Sequence, residues 1–133
     1  MTERTFEATD DTLNDAIGFI EEELEKVDCP MKAVMQITVC VEEMYVNVAH
    51  YAYGENKGDV KMIFDYSDGC ASITFIDSGM PFNPLEMETP DITLSAEDRK
   101  IGGLGIFMVR KSMDEVSYSY EDGKNIFTMK KAF

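Results

Sequence analysis

Basic residues are scarce in this sequence: 12 lysines and arginines stand against 26 aspartates and glutamates, for a net charge of −14. A surface so acidic repels nucleic acid and anionic lipid, which excludes functions that begin with attraction to either. An anionic ligand would need local help from a metal, from backbone amides or from a few nearby cations. Cysteine is sparse too. Cys29, Cys40 and Cys70 are odd in number, scattered, and form neither a CxxC pair nor a Cys/His cluster. That pattern excludes a disulfide framework and a zinc site and fits reduced thiols in a cytosol. No apolar run approaches membrane-spanning length, and Met1-Thr2-Glu3-Arg4-Thr5 lacks the apolar core of a signal peptide. The expectation is a cytoplasmic protein with no membrane contact and no direct nucleic acid. Repeats, low-complexity segments and linkers are missing as well. With 133 residues, 44% hydrophobic and 11% aromatic, the chain reads as one domain, 1–133, around one core.

What is there alternates between two periods. Thr5-Phe6-Glu7-Ala8 suggests a short edge strand, and Asp10-Asp11-Thr12 offers N-cap chemistry to a first helix. Leu13, Ile17, Ile20, Leu24 and Val27 form the stripe of that helix, leaving Glu21, Glu22, Glu23 and Glu25 as its wet face. After Pro30 the spacing predicts a second, nearly all-apolar helix from about Met31 to Tyr53. Two strands follow in strict alternation: Val60, Met62, Phe64 and Tyr66, then Ala71, Ile73 and Phe75, turning at Ser67-Asp68-Gly69. An irregular stretch runs to Lys100. Gly102-Gly103-Leu104-Gly105 then opens a short helix, and a last hairpin turns at Asp122-Gly123. This order describes an α+β two-layer sandwich.

Three motifs carry chemistry. In the second helix, Glu43 and Asn47 are four apart and share a face, a carboxylate and a carboxamide in apolar surroundings. Either they bond neighbouring backbone or solvent, or they face a cleft holding a hydrated metal and a phosphorylated ligand. Asp77-Ser78-Gly79 leaves a strand and is either a plain turn or a base-binding edge. There Asp77 would accept from an exocyclic amine, and Gly79 would let a flat base approach the backbone. The glycine-rich turn is neither a Walker A loop nor a Rossmann fingerprint, because no Gly-Lys-Ser/Thr follows and no βαβ unit surrounds it. Backbone amides at a helix start still suit phosphate, with Lys100, Arg110 and Lys111 nearby to soften the field.

Taken together, Val41-Glu42-Glu43-x-x-x-Asn47, Asp77-Ser78-Gly79-x-Pro81-Phe82-Asn83-Pro84 and Gly102-Gly103-Leu104-Gly105-Ile106 resemble the nucleotide-binding boxes of the GHKL ATPases, which include gyrase, the histidine kinases and MutL. The likeness is greatest to the small anti-sigma-factor serine kinases of the RsbW and SpoIIAB type. The ending Gly123-Lys124-Asn125-Ile126-Phe127-Thr128-Met129-Lys130 is similar too, so the resemblance covers essentially the whole chain. It implies a Bergerat-type fold, with a mixed, mostly antiparallel sheet and helices on one face. It also implies ATP and Mg2+ as cofactors. Asn47 would be the metal ligand and Glu43 the general base. Asp77, Gly79 and Thr128 would bind the adenine, and Gly103, Leu104 and Gly105 the phosphates. Residues from about Phe82 to Ile101 would form a lid. The partners implied are an anti-anti-sigma (STAS-domain) protein whose serine is phosphorylated, and a sigma factor that the kinase sequesters as a homodimer. Where many relatives carry a histidine eight residues after the glutamate this chain has Tyr51, and His50 is given no catalytic role. Glu42, about 100° round the helix from Glu43, is assigned to structure.

Three other readings stay open. A nucleotide-responsive binding module would sequester a partner without useful phosphotransfer, although such a module has no need of the Glu43 base. A detached histidine-kinase catalytic domain fits less well, since the first glycine box continues as Pro-Phe-Asn-Pro rather than as another glycine motif. A ligand-free structural domain would require all three motifs to be coincidence.

Overall fold

The computed structural model describes residues 1–53, 57–86 and 103–133. Its sheet contains β1 (Thr2–Glu7), β2 (Asp59–Ser67), β3 (Cys70–Asp77), β4 (Glu115–Glu121) and β5 (Lys124–Ala132). The spatial order is β1-β2-β3-β5-β4, and every pairing is antiparallel, so the expected mixture of directions resolves into a purely antiparallel sheet. Both Asp-Gly hairpins form as the sequence suggests. Asp68 and Gly69, and again Asp122 and Gly123, take the positive φ that a tight two-residue turn between twisted strands requires.

Period-two alternation decides which sheet face is covered. Val60, Met62, Phe64, Ala71, Ile73, Phe75, Phe127 and Met129 all point inward and are buried. Against them pack α1 (Leu13–Lys26), α2 (Met31–Asn47) and α3 (Gly103–Ser112), through Ile20, Leu24, Ile37, Val41, Met44, Tyr45, Ile106 and Val109. Met62, Ile73 and Met129 are fully enclosed, and burial of each such side chain stabilises the fold by about 2 kcal/mol. The layout is the two-layer α+β sandwich that the sequence describes.

Four local expectations change. Glu23 is not on the wet face of α1 but buried, with its carboxylate accepting from Thr2 Oγ1 at 3.1 Å and from Lys26 Nζ at 3.0 Å. It lies within a turn of Ile20 and Leu24, so it falls at the edge of the apolar stripe and needs those partners. Thr12 makes no capping bond. Its hydroxyl reaches the carbonyl of Glu7 at 2.6 Å and Tyr45 Oη at 2.5 Å, tying the start of α1 to α2. The first strand begins at Thr2 rather than Thr5. The second helix runs as α-helix only to Asn47 and continues through Val48–Ala52 as a single π-helical turn. Such turns are rare and occur frequently at functional sites. No helix among the described residues is long and apolar enough to cross a membrane.

Candidate nucleotide site

Asp77 is the last residue of β3, in phase with Ala71, Ile73 and Phe75. The alternation that buries those three therefore carries a carboxylate to the rim of the core, where it is only 6% exposed. Its Oδ1 accepts from the Gly79 amide at 3.0 Å and from Asn125 Nδ2 at 2.9 Å, and Oδ2 accepts no bond among the described residues. Burial pushes the Asp77 carboxyl above its ordinary value, and these two bonds offset part of the rise. Gly79 is required at its position. A Cβ there would fall on the carbonyl oxygen of Ala52, in the π-helical turn, the same oxygen that accepts from the Met80 amide at 2.9 Å. Tyr53 completes the attachment: its hydroxyl accepts from the Ser78 amide at 2.8 Å and donates to the Asp59 carbonyl at 2.5 Å.

Asn47 closes α2 one turn after Glu43. It is buried, yet its Nδ2 finds no hydrogen-bond partner among the described residues. An unsatisfied buried amide costs about 1–3 kcal/mol, so this atom is poised for a polar ligand. Asn47 and Asp77 line one pocket, walled by Met44, Val48, Ala52, Phe75, Phe82 and Phe127 among others. An apolar slot with two converging polar groups suits a flat heterocycle bearing polar edges. Glu43 is half-buried and projects toward α3. A Cβ on Gly105 would fall on Glu43 Oε2, with Cδ at 3.1 Å. The carboxylate thus rests on the backbone at the start of α3, the element that would present amides to phosphate. Glu42 is exposed.

The structure therefore brings Glu43, Asn47, Asp77, Gly79 and Gly105 to one end of the sandwich. Gly103 and Leu104 occupy the first turn of α3. Thr128 does not join them. It is out of phase with Phe127 and Met129, so it lies on the opposite sheet face, where its hydroxyl meets that of Thr74 at 3.1 Å. The strand β5 residue at the pocket is Asn125, which the sequence reading passed over. An Asn in phase with Phe127 and Met129 on an inward face was the available signal. The Arg110 guanidinium donates to the Leu85 carbonyl, and Lys111 lies over the Phe107 ring at 4.8 Å. Lys100 and most of the expected lid, 87–101, lie outside the described residues. The part of the lid that is described holds Phe82, stacked on Tyr51 with centroids 5.6 Å apart, and a short 3-10 turn at Pro84–Glu86. His50 pairs with Asp10 at 2.9 Å.

Residues 6–131 match the histidine kinase-like ATPase domain family. The chain belongs to that family. Among curated relatives, it is 26% identical over 104 residues to the serine-protein kinase RsbW of Listeria monocytogenes, covering 74% of this chain and 66% of the relative. With the RsbW of Bacillus mycoides the figures are 23% over 96 residues, 69% of this chain and 60% of the relative. The chain thus spans less than two thirds of the length of these relatives. Among solved structures, the RsbU and RsbW domains of Rv1364c from Mycobacterium tuberculosis superpose with a TM-score of 0.66 at 14% identity, over 99% of this chain and 32% of that one. The SiaB–SiaC complex of Pseudomonas aeruginosa gives 0.57 at 16%, over 98% and 89%. The catalytic domain of the histidine kinase ThkA gives 0.56 at 16%, over 99% and 97%. These structures establish the shared fold. Family membership implies ATP binding.

Proposed function

We propose that this protein is a Mg-ATP-dependent protein-serine kinase and anti-sigma regulatory factor of the cytoplasm. It phosphorylates a serine on an anti-anti-sigma partner of the STAS type and, as a homodimer, sequesters a sigma factor to regulate transcription. The observation that carries this reading is that Asn47 and Asp77 line one pocket, while Glu43, one helical turn before Asn47, packs its carboxylate against Gly105. Similarity to proteins named serine-protein kinase RsbW supports serine as the acceptor.

In this reading Asp77 accepts from the adenine amine, Gly79 lets the ring lie against the backbone, and amides of Gly103, Leu104 and Gly105 meet the phosphates. Asn47 fits a magnesium site. It is buried at the pocket and would hold the ion through its carboxamide oxygen, since Mg2+ takes one or two protein oxygens with phosphate and water completing its shell. Its Nδ2, unpartnered among the described residues, would donate to a phosphate oxygen. When bound, the ion supplies charge neutralisation across the terminal phosphates. Glu43 takes the proton from the serine hydroxyl as that oxygen bonds to the γ-phosphorus. The bond from phosphorus to the bridging oxygen breaks and ADP leaves.

The test is transfer of label from ATP to a recombinant STAS-domain protein. Glu43→Ala is expected to lower transfer by at least about 10²-fold while ATP affinity stays within a few-fold, and Glu42→Ala to have little effect. Tight ATP binding with no transfer to any STAS domain would replace the kinase by a nucleotide-responsive binding module. A larger loss in Glu42→Ala than in Glu43→Ala would reassign the base.

A further inference from the structure

Asn125 is the one residue at the pocket whose carboxamide has every capacity filled. Nδ2 donates to Asp77 Oδ1 at 2.9 Å and to the Met80 carbonyl at 2.8 Å. Oδ1 accepts from the Phe82 amide at 3.0 Å and from the Tyr118 hydroxyl. Two donors and two acceptor sites are all that a carboxamide has. The side chain is 5% exposed, so each lost bond would leave a buried polar group unpaired. The four partners lie on three elements: the end of β3, the segment leaving it, and β4. Asn125 itself begins the register of β5 against Asp77.

We infer that Asn125 is the positioning residue of the nucleotide pocket, fixing the Asp77 carboxylate for the base and, through Met80 and Phe82, holding the segment that leaves β3 against it. The inference rests on the proposed ATP site and deepens it. Asp77 alone can rotate about its side-chain torsions. With Oδ1 held by Asn125 and by the Gly79 amide, its rotamer is set before a ligand arrives, which lowers the cost of ordering on binding. The same carboxamide ties Phe82, whose ring walls the pocket and stacks on Tyr51, to the carboxylate that reads the base. Base recognition and the position of the Phe82 wall therefore share one side chain. Thr128, three residues further on and so on the other face, cannot substitute.

Asn125→Asp separates positioning from mere packing, because it keeps shape and volume and replaces a donor by a carboxylate. Two carboxylates then face each other, and one must take a proton before the bond to Asp77 re-forms. Among the described residues the Tyr53 and Tyr118 hydroxyls lie near Asp77 and stay neutral across the range used, and the carboxylates of Asp59 and Glu86 lie beside those hydroxyls. ATP affinity, measured by calorimetry with magnesium from pH 8 to pH 6 and divided by that of the unaltered protein, is expected to be lowest at pH 8. It should recover by up to about tenfold for each pH unit of acidification. A purely structural lesion gives a ratio that does not improve with acid, and that result would overturn the inference. If Asn125→Asp does not fold, Asn125→Thr is used with hydrogen exchange. The Phe82 amide is expected to lose its protection and ATP affinity to fall about tenfold or more, while the Phe75 amide in β3 is unchanged. Retained Phe82 protection with unaltered affinity would overturn the inference alone. Failure of the unaltered protein to bind ATP would overturn the nucleotide reading and this inference with it.

Discussion

Gly105→Ala adds one methyl group to a buried position in the first turn of α3, and its consequences for fold and for chemistry diverge. Gly105 has no positive φ, so alanine fits the backbone and gains about 0.5–1 kcal/mol of helix propensity. The methyl carbon would land on Glu43 Oε2, with Cδ only 3.1 Å away. Carbon and oxygen settle near 3.5 Å, so the carboxylate must withdraw by about 1 Å. It is the tip of a flexible side chain, and moving it off its rotamer costs about 0.5–1.5 kcal/mol. The two terms nearly cancel, which leaves the melting temperature within about 3 °C of the original. Phosphotransfer responds differently, since a base misplaced by about 1 Å can cost about 10²-fold in rate. Melting curves and single-turnover transfer from labelled ATP, run on the same preparation, provide the assay. An unchanged rate would refute the contact between Gly105 and the carboxylate proposed as the base. A fall in melting temperature of more than about 5 °C would refute the claim that only the side-chain tip moves.

Gly79→Ala has the opposite character, because its methyl meets the Ala52 carbonyl that also holds Met80. Thermal denaturation should show about 1–3 kcal/mol of destabilisation. Asp77→Asn is expected to leave the ligand-free protein as stable or more stable at pH 7. The sign follows from the carboxyl being raised by burial: the folded chain binds its proton more readily than the unfolded chain does. Stability contributed by this group is therefore lost as pH rises from the unfolded value through the folded one. Urea titrations between pH 4 and pH 7 should show that slope in the original protein and a smaller one in Asp77→Asn. Thr128→Val should keep ATP affinity within about twofold by calorimetry, since loss of one half-exposed hydroxyl pair touches no pocket atom.

Much of this architecture was legible because two periods were cleanly written. The alternation of Val60 to Tyr66 and of Ala71 to Phe75 gave both the hairpin and the inward face. Continuing that alternation by one step places Asp77 at the core rim. Glu43 and Asn47, one helical turn apart, needed only helix geometry. Thr128 was misplaced because family likeness overrode parity: counting by twos from Met129 reaches Phe127 and Asn125 and never Thr128. The π-helical turn at Val48–Ala52 was not legible, since its apolar residues satisfy α-helical spacing equally well and only tertiary contacts reveal the slip. Glu23 hid in a run of four acidic residues whose average exposure is high, and only the proximity of Thr2 on β1 marks it as the buried member.

The most direct test of the central claim is a thermal melt of the unaltered protein with and without ATP, each with and without magnesium. A ligand at a hundredfold its dissociation constant stabilises by about 2.7 kcal/mol, which for a domain of this size raises the midpoint by roughly 5–15 °C. The account predicts a rise of that size with ATP and magnesium together, smaller when magnesium is withheld and absent in Asp77→Asn. No rise at millimolar ATP in the presence of magnesium would contradict it.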